Sequence, residues 1–368
     1  MSWQQPDENS IEALEHGMLF ADGVEFDVKL DSDHNLVIYH DELLPGNSPK
    51  KERCIELLGT DEIKKNNIPL FDDLLSNKKF TEELQQGGKT ACIEFKMPHP
   101  VTKINHDEYL AKIMNQVEEK LNDFELPKRS TIVYSFSPRI ESVAKTVGFK
   151  FPVTRLMPHL RPWGVWKVKR AIGMPNFART SVSSIINNSK KHRMPAMGLA
   201  LHFLNGWTKW ISPGIPMGLK GKALERLNKA RSGMGAFVWP APLEMEDLMI
   251  NAGLSLISDN INPELMTKPD GSIRWMRPAS QPLNDEWRNI LESAEKTERY
   301  ELSKEAIDSL PKWHEMEDSR RNKMIIEQGK RMFWSGSEEK WIQELKDGIP
   351  WGSPRILGHR GAGKTHGG

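Results

Sequence analysis

The chain has 368 residues, a mass of 42.0 kDa and a nearly balanced formal charge of +1, enough for one large core, or one core with a small annex. No apolar run of about 18 residues or more occurs, which excludes a membrane-spanning helix. The polar opening, Met1-Ser2-Trp3-Gln4-Gln5-Pro6-Asp7-Glu8, does not read as a signal peptide. Cys54 and Cys92 have no metal-ligand spacing and are expected to be apolar filler, as suits a reducing cytoplasm.

Asn9 or Ser10 caps an amphipathic helix, IEALEHGML. Gly23 to Asp41 follows, two β-rich runs, VEFDVKL and LVIYHD, around a polar turn, Asp31-Ser32-Asp33-His34-Asn35. Parallel strands need a crossover of about a dozen residues, so this short link predicts a β-hairpin. With the turn centred near Asp33/His34, residues whose numbers sum to about 67 face each other. His40 then lies across from Asp27, with Glu25 on the same face two residues back. Folding a half-buried strand pair does not require such a polar cluster. Next come a polar stretch, PGNSPKKER, a helical segment, and Ile68 to Leu75. The run ACIEFKM, 91 to 97, is a strand with Glu94 and Lys96 on one face. A helix over 105 to 124 leads to TIVYSF, 131 to 136, and Ser137-Pro138 opens a helix reaching about Thr146. PVTRLM, MGLALHF, GAFVW and LSLISD are the later strands. Strands alternating with helices predict an α/β fold with a parallel sheet.

After Asp259 the pattern turns helical, from about 282 to 347. Ser335-Gly336-Ser337-Glu338 is a capping-box pattern before KWIQELKDG, with Gly348 as the stop. Trp287, Trp313, Trp334 and Trp341 are expected to be packing anchors. The run PRILGHRGAGKTHGG then returns to strand character.

With these pieces in view, the chain resembles the glycerophosphodiester phosphodiesterase family. The resemblance rests on Asp7-Glu8-Asn9-Ser10, Glu25-Phe26-Asp27-Val28, His40-Asp41, Ile68-Pro69-Leu70-Phe71-Asp72, Ile93-Glu94-Phe95-Lys96, Ser135-Phe136, Trp239 and Ser258-Asp259. Each match is short; their order and spacing carry the signal. Two features depart from the family pattern. His359-Arg360-Gly361 stands at the C-terminal end instead of before the first helix, the segment order of a circular permutation, and Trp239-Pro240-Ala241-Pro242 replaces a W-T-V-N segment.

The resemblance implies a TIM (β/α)8 barrel with a β-hairpin after the second barrel strand and a helical insertion before the C-terminal strand. Residues 1–263 would supply the barrel without its first strand, 264–352 a helical tether, and 353–368 the missing strand. It further implies a metal-dependent phosphoric diester hydrolase. Glu25, Asp27 and Glu94 would hold a divalent ion, Mg²⁺ or Ca²⁺. Arg360 and Lys96 would bind the substrate phosphate, and His359 and His40 would exchange protons. Asp259 would sit behind them or cap a loop. Which histidine is acid, and whether water attacks directly or a cyclic phosphate forms first, stays open. The substrate would be a glycerophosphodiester or a lysophospholipid. The alternatives are a phospholipase D-type enzyme forming cyclic phosphates, and a non-catalytic lipid-surface protein on a degenerate barrel.

Two other signals compete. Gly358 to Thr365 matches the phosphate-loop pattern GxxxxGK[ST], but such a loop needs a following helix, and only three residues follow Thr365. Residues 151 to 240 hold fifteen Lys and Arg against one acid, Glu225, with Trp163, Trp166, Trp207 and Trp210 interleaved. That mixture suggests contact with an anionic membrane surface; the competing reading is a solvated face partnered by acidic helices. No nucleic-acid reader motif accompanies the charge. The expected location is cytoplasmic, with peripheral membrane contact.

Overall fold

The computed structural model describes residues 3–157, 175, 178–330 and 337–365. Eight parallel strands close into a barrel: β1 (Gly23–Leu30), β3 (Thr90–Phe95), β4 (Thr131–Ser135), β5 (Val153–Met157), β6 (Ala196–Ala200), β7 (Gly235–Trp239), β8 (Ser255–Ser258) and β9 (Ile356–Gly358). Helices surround them, as a (β/α)8 barrel requires. β2 (Leu36–Ile38) is the extra strand, antiparallel to β1. β9 lies between β8 and β1 of the same chain, pairing Leu357 with Ile257 and Gly358 with both Ser258 and Val24.

Alternation along the strands separates two cores. Val24, Phe26 and Val28 face outward against α1 (Ile11–Phe20) and the helices over 71–86 and 106–121. Ser10 caps α1 by accepting from Ala13 N at 3.0 Å. The inward residues Cys92, Ile132, Tyr134, Leu156, Phe237, Ile257 and Leu357 fill the lower barrel, and Trp351 closes it from below. Trp341 and Trp313 are buried in the helical segment beneath that end, as packing anchors should be. Trp334, Trp163, Trp166 and the Ser335 capping box lie outside the described residues.

The lower end is bound by buried charge. Asp22, fully buried, accepts from Ser280 N at 2.7 Å, Ala279 N at 3.2 Å and Ile356 N at 3.1 Å. One carboxylate thus joins β1 to the helical segment and to β9. Nearby, Glu83 meets Arg277 at 3.4 Å and also pairs with Lys312. Removing an acceptor from buried N–H groups costs about 1–3 kcal/mol each. Asp22→Ala is therefore expected to destabilise the protein by about 3 kcal/mol or more, read as a lower denaturant midpoint with an unchanged slope. A midpoint within error of wild type would contradict it.

The hairpin register differs by one from the sequence expectation. Val28 pairs with Ile38, Lys29 with Val37 and Leu30 with Leu36, so paired numbers sum to 66. The Asp31 carboxylate accepts from both Asp33 N and Asn35 N, which centres the turn on Asp33. Tyr39, not His40, reaches across to Asp27, donating its N–H to Asp27 O at 3.1 Å.

Candidate active site

Glu25 and Asp27 come from the inward face of β1, and Glu94 from the next strand, in register with Asp27. All three are buried, and their carboxylate oxygens can lie within 4.8 Å of one another. Burial first, then the Asp27 and Glu94 charges, push the Glu25 carboxyl well above its usual range. Burial raises Glu94 as well, against the pull of Lys96. For Asp27 burial is outweighed by Lys96, His40 and Arg360, which hold it far below the ordinary carboxylate range.

Lys96 Nζ lies 2.7 Å from Glu94 Oε1 and 3.0 Å from Asp27 Oδ1. Burial opposes its charge, but Asp27 and Glu94 prevail and raise its pKa. The loop after β9 supplies the other cation. Arg360, at φ 51°, donates its backbone N–H to Glu25 Oε2 at 2.9 Å, while its guanidinium pairs with Glu8 and stands 3.7 Å from Asp27 Oδ2. The following Gly361, at φ 94°, approaches α1 so closely that a Cβ would fall 2.4 Å from Ala13 C.

Both histidines are positioned by an aspartate. His359 Nδ1 is 2.6 Å from Asp259 Oδ1, and its Nε2 points to Glu25 Oε2 at 3.6 Å. His40 Nδ1 is 2.9 Å from Asp41 Oδ1. In each ring the aspartate holds a proton on Nδ1, leaving Nε2 to exchange one. Burial lowers His359 despite Asp259, and burial and Lys96 push His40 down to about 3. His40 reaches the cluster although it is not Asp27's ladder partner: β2 ends at Ile38, whose N–H donates to Pro69 O at 2.9 Å, and the chain then turns. The structure brings all seven sequence-derived residues to the C-terminal end of the barrel.

Two further residues belong to this constellation. Asn9, at φ 58°, clamps Asp27 from both sides: its Nδ2 donates to Asp27 Oδ2 at 2.9 Å, and its Oδ1 accepts from Asp27 N at 3.3 Å. Glu8 holds Arg360 and accepts from Thr365 N at 2.8 Å. Both lie in the Asp7–Ser10 motif, so the signal was present, but sequence suggested only a helix cap.

The residues fit a divalent cation. Asp27 Oδ1 is buried and, beyond its ion pair with Lys96 at 3.0 Å, has no further partner. Four carboxylates, Glu8, Glu25, Asp27 and Glu94, face two cations, Lys96 and Arg360, so acidic groups outnumber basic ones by two. Hard oxygen donors with that charge suit Mg²⁺ or Ca²⁺.

The phosphate-loop reading fails on its hydrogen bonds. Arg360 N and Gly361 N go to Glu25, Gly363 N to His359 O, Lys364 N to Asp259 and Thr365 N to Glu8. These N–H groups form no cradle for an anion.

Residues 1–172 match the model of the glycerophosphoryl diester phosphodiesterase family, a family of phosphoric diester hydrolases. No curated protein sequence matches the chain. Among solved structures, a glycerophosphodiester phosphodiesterase from Parabacteroides distasonis is 19% identical, with 70% of this chain and 87% of that one covered and a TM-score of 0.47. One from Thermotoga maritima is 18% identical, covering 69% and 89%, with a TM-score of 0.44. A phosphodiesterase from Oleispira antarctica, solved with the product sn-glycerol-3-phosphate, is 14% identical, covering 69% and 88%, with a TM-score of 0.44.

Proposed function

We propose that this chain, whose residues 1–172 match the model of the glycerophosphoryl diester phosphodiesterase family, hydrolyses glycerophosphodiesters or lysophospholipids to an alcohol and glycerol phosphate or lysophosphatidate. The observation that carries the reading is the buried Glu25, Asp27 and Glu94 cluster, flanked by Lys96, Arg360 and two aspartate-held histidines.

Glu25, Asp27 and Glu94 would hold the divalent ion, which when bound polarises a phosphoryl oxygen and offsets the substrate's charge. Lys96 and Arg360 bring positive charge to the phosphate, Arg360 with a planar fork and Lys96 as a point charge. His359 and His40 exchange protons through Nε2, one with the attacking oxygen and one with the leaving alkoxide. Asn9 and Glu8 fix Asp27 and Arg360 so that neither swings away from the phosphate.

The chain order is read as a circular permutation, with 264–352 as the tether. What supports it is that β9, bearing the His-Arg-Gly triplet, sits between β8 and β1. The reading as a non-catalytic, degenerate barrel would gain from an undocked triplet, and the pairing of β9 with β8 and β1 weighs against it.

Turnover of glycerophosphocholine should fall by about 10³-fold in EDTA. Adding back Mg²⁺ or Ca²⁺ should restore it. Undiminished turnover in chelator would remove the metal from the proposal.

A further inference from the structure

Among the described residues five large apolar side chains stand exposed, and three of them lie within nine residues of one loop: Trp207 (68% exposed), Trp210 (69%) and Ile215 (72%). The loop follows β6, at the same C-terminal end of the barrel as the carboxylates. It is built rather than loose. Leu201, Phe203 and Leu204 bury one end in the barrel core, and Met217 and Leu219 bury the other. Thr208 Oγ1 donates to His202 O at 2.6 Å, and Ser212 Oγ donates to Thr180 O at 2.8 Å. A fixed loop that turns two indoles outward does not do so to satisfy its own core.

The chain segment that carries it has charge of one sign. No aspartate or glutamate occurs between Glu141 and Glu225. Lys209 Nζ sits 5.3 Å from the centre of the Trp210 ring. The exposed Lys220 and Lys222 follow the loop, and the exposed Arg179 precedes the helix Val182–Lys191 at the same end. The fold also divides the basic stretch that sequence treats as one surface. Lys190, Lys191, Arg193 and Lys229 lie at or beyond the far ends of their helices, toward the bottom of the barrel. Arg155 pairs with Glu141, Arg226 donates to Pro216 O, and Arg231 is buried against Gly253 O.

We infer that the loop 206–219 is an interfacial anchor that seats the mouth of the barrel on an anionic phospholipid surface. Indoles favour the boundary between headgroups and acyl chains, being apolar in body and polar at the N–H. Flanking lysines add attraction to anionic headgroups. The acid-free segment from 142 to 224 complements such a surface. The anchor rests on the hydrolase reading only for its purpose, which is to let the headgroup diester of a lysophospholipid reach the site without leaving the membrane plane.

The test uses the full chain and flotation with vesicles of phosphatidylcholine containing about a third phosphatidylglycerol, at low salt, against phosphatidylcholine alone. Wild type should float with the anionic vesicles and its tryptophan emission should shift to the blue. The double variant Trp207→Ser/Trp210→Ser should bind at least about tenfold more weakly, with turnover of soluble glycerophosphocholine unchanged. Leu57→Ser, at an exposed site elsewhere, should bind like wild type. Wild type that fails to float, or a double variant that floats equally well, overturns the proposal. So does a wild type that stays unbound but forms a dimer lost in the double variant, which would make the face a protein interface. Vesicle binding without soluble turnover would support the anchor and defeat the hydrolase reading instead.

Discussion

A chain ending at Gly352 is expected to be inactive and to lose most of its stability, whereas His359→Ala should lose activity with only a small loss of stability. The first change removes a strand. Along β9 and its flanks, Arg355 O accepts from Leu256 N at 2.7 Å, Ile356 O accepts from Asp22 N at 2.9 Å, and His359 N donates to Ser258 O at 2.9 Å. Ile356, Leu357 and Ala362 are buried to within a few per cent. Burying side chains of the first two kinds is worth about 1.5–3 kcal/mol each, and β8 and β1 would be left as open edges. Losses of that size approach a typical total stability of about 5–15 kcal/mol. The second change removes one imidazole and its bond to Asp259, about 1–2 kcal/mol of stability. Its activity loss should be about 10²–10⁴-fold. Denaturant melts and glycerophosphocholine turnover on both variants decide the matter; a truncated chain as stable and active as the full one would refute it. Activity appearing only when Glu25→Ala and His359→Ala chains are mixed would mean that the strand exchanges between molecules.

Glu25→Gln should act in opposite directions on function and stability. Three carboxylates crowd one buried site, and Glu25 bears most of the strain: burial, Asp27 and Glu94 all raise its pKa. Its folded pKa therefore lies above its unfolded value. In chelator its contribution to stability is present at acid pH and lost as pH rises through the folded pKa. A glutamine keeps an oxygen to accept Arg360 N, now 2.9 Å away, and removes the repelling charge. The variant should be about 1–2 kcal/mol more stable than wild type at neutral pH in chelator, with a flatter dependence on acidification. Turnover should fall by about 10³-fold. A variant no more stable than wild type under those conditions would show that the carboxylates are not in conflict.

What sequence could show depended on distance along the chain. The barrel strands were legible because each is a short apolar run between helical patterns, as GAFVW and LSLISD illustrate. Glu25, Asp27, Glu94 and Lys96 were legible because strand alternation places them on one face. The hairpin register was missed by one residue, since Asp31 and Asp33 can each organise the turn and only Asp31 does. The Asn9 clamp was hidden because its partner is 18 residues away on another element. Composition gave the charge of 151 to 240 but not its division between the two ends of the barrel, which follows from helices running antiparallel to the strands.

The seam between β1 and β9 also bears on how the molecule is made. Arg360 and Glu25, which meet across it, are 335 residues apart. Closing so long a loop rather than one of about thirty residues costs only about 2 kcal/mol more, because the penalty grows with the logarithm of length. The burden falls on time instead, since distant pairings form slowly. During synthesis β1, β3 and β4 can pair with one another well before β9 leaves the ribosome. Until then the nascent sheet has an open edge on which chaperones or other chains can act. Its carboxylates meanwhile lack both His359 and Arg360, so the proposed site is complete only with the strand that seals the barrel.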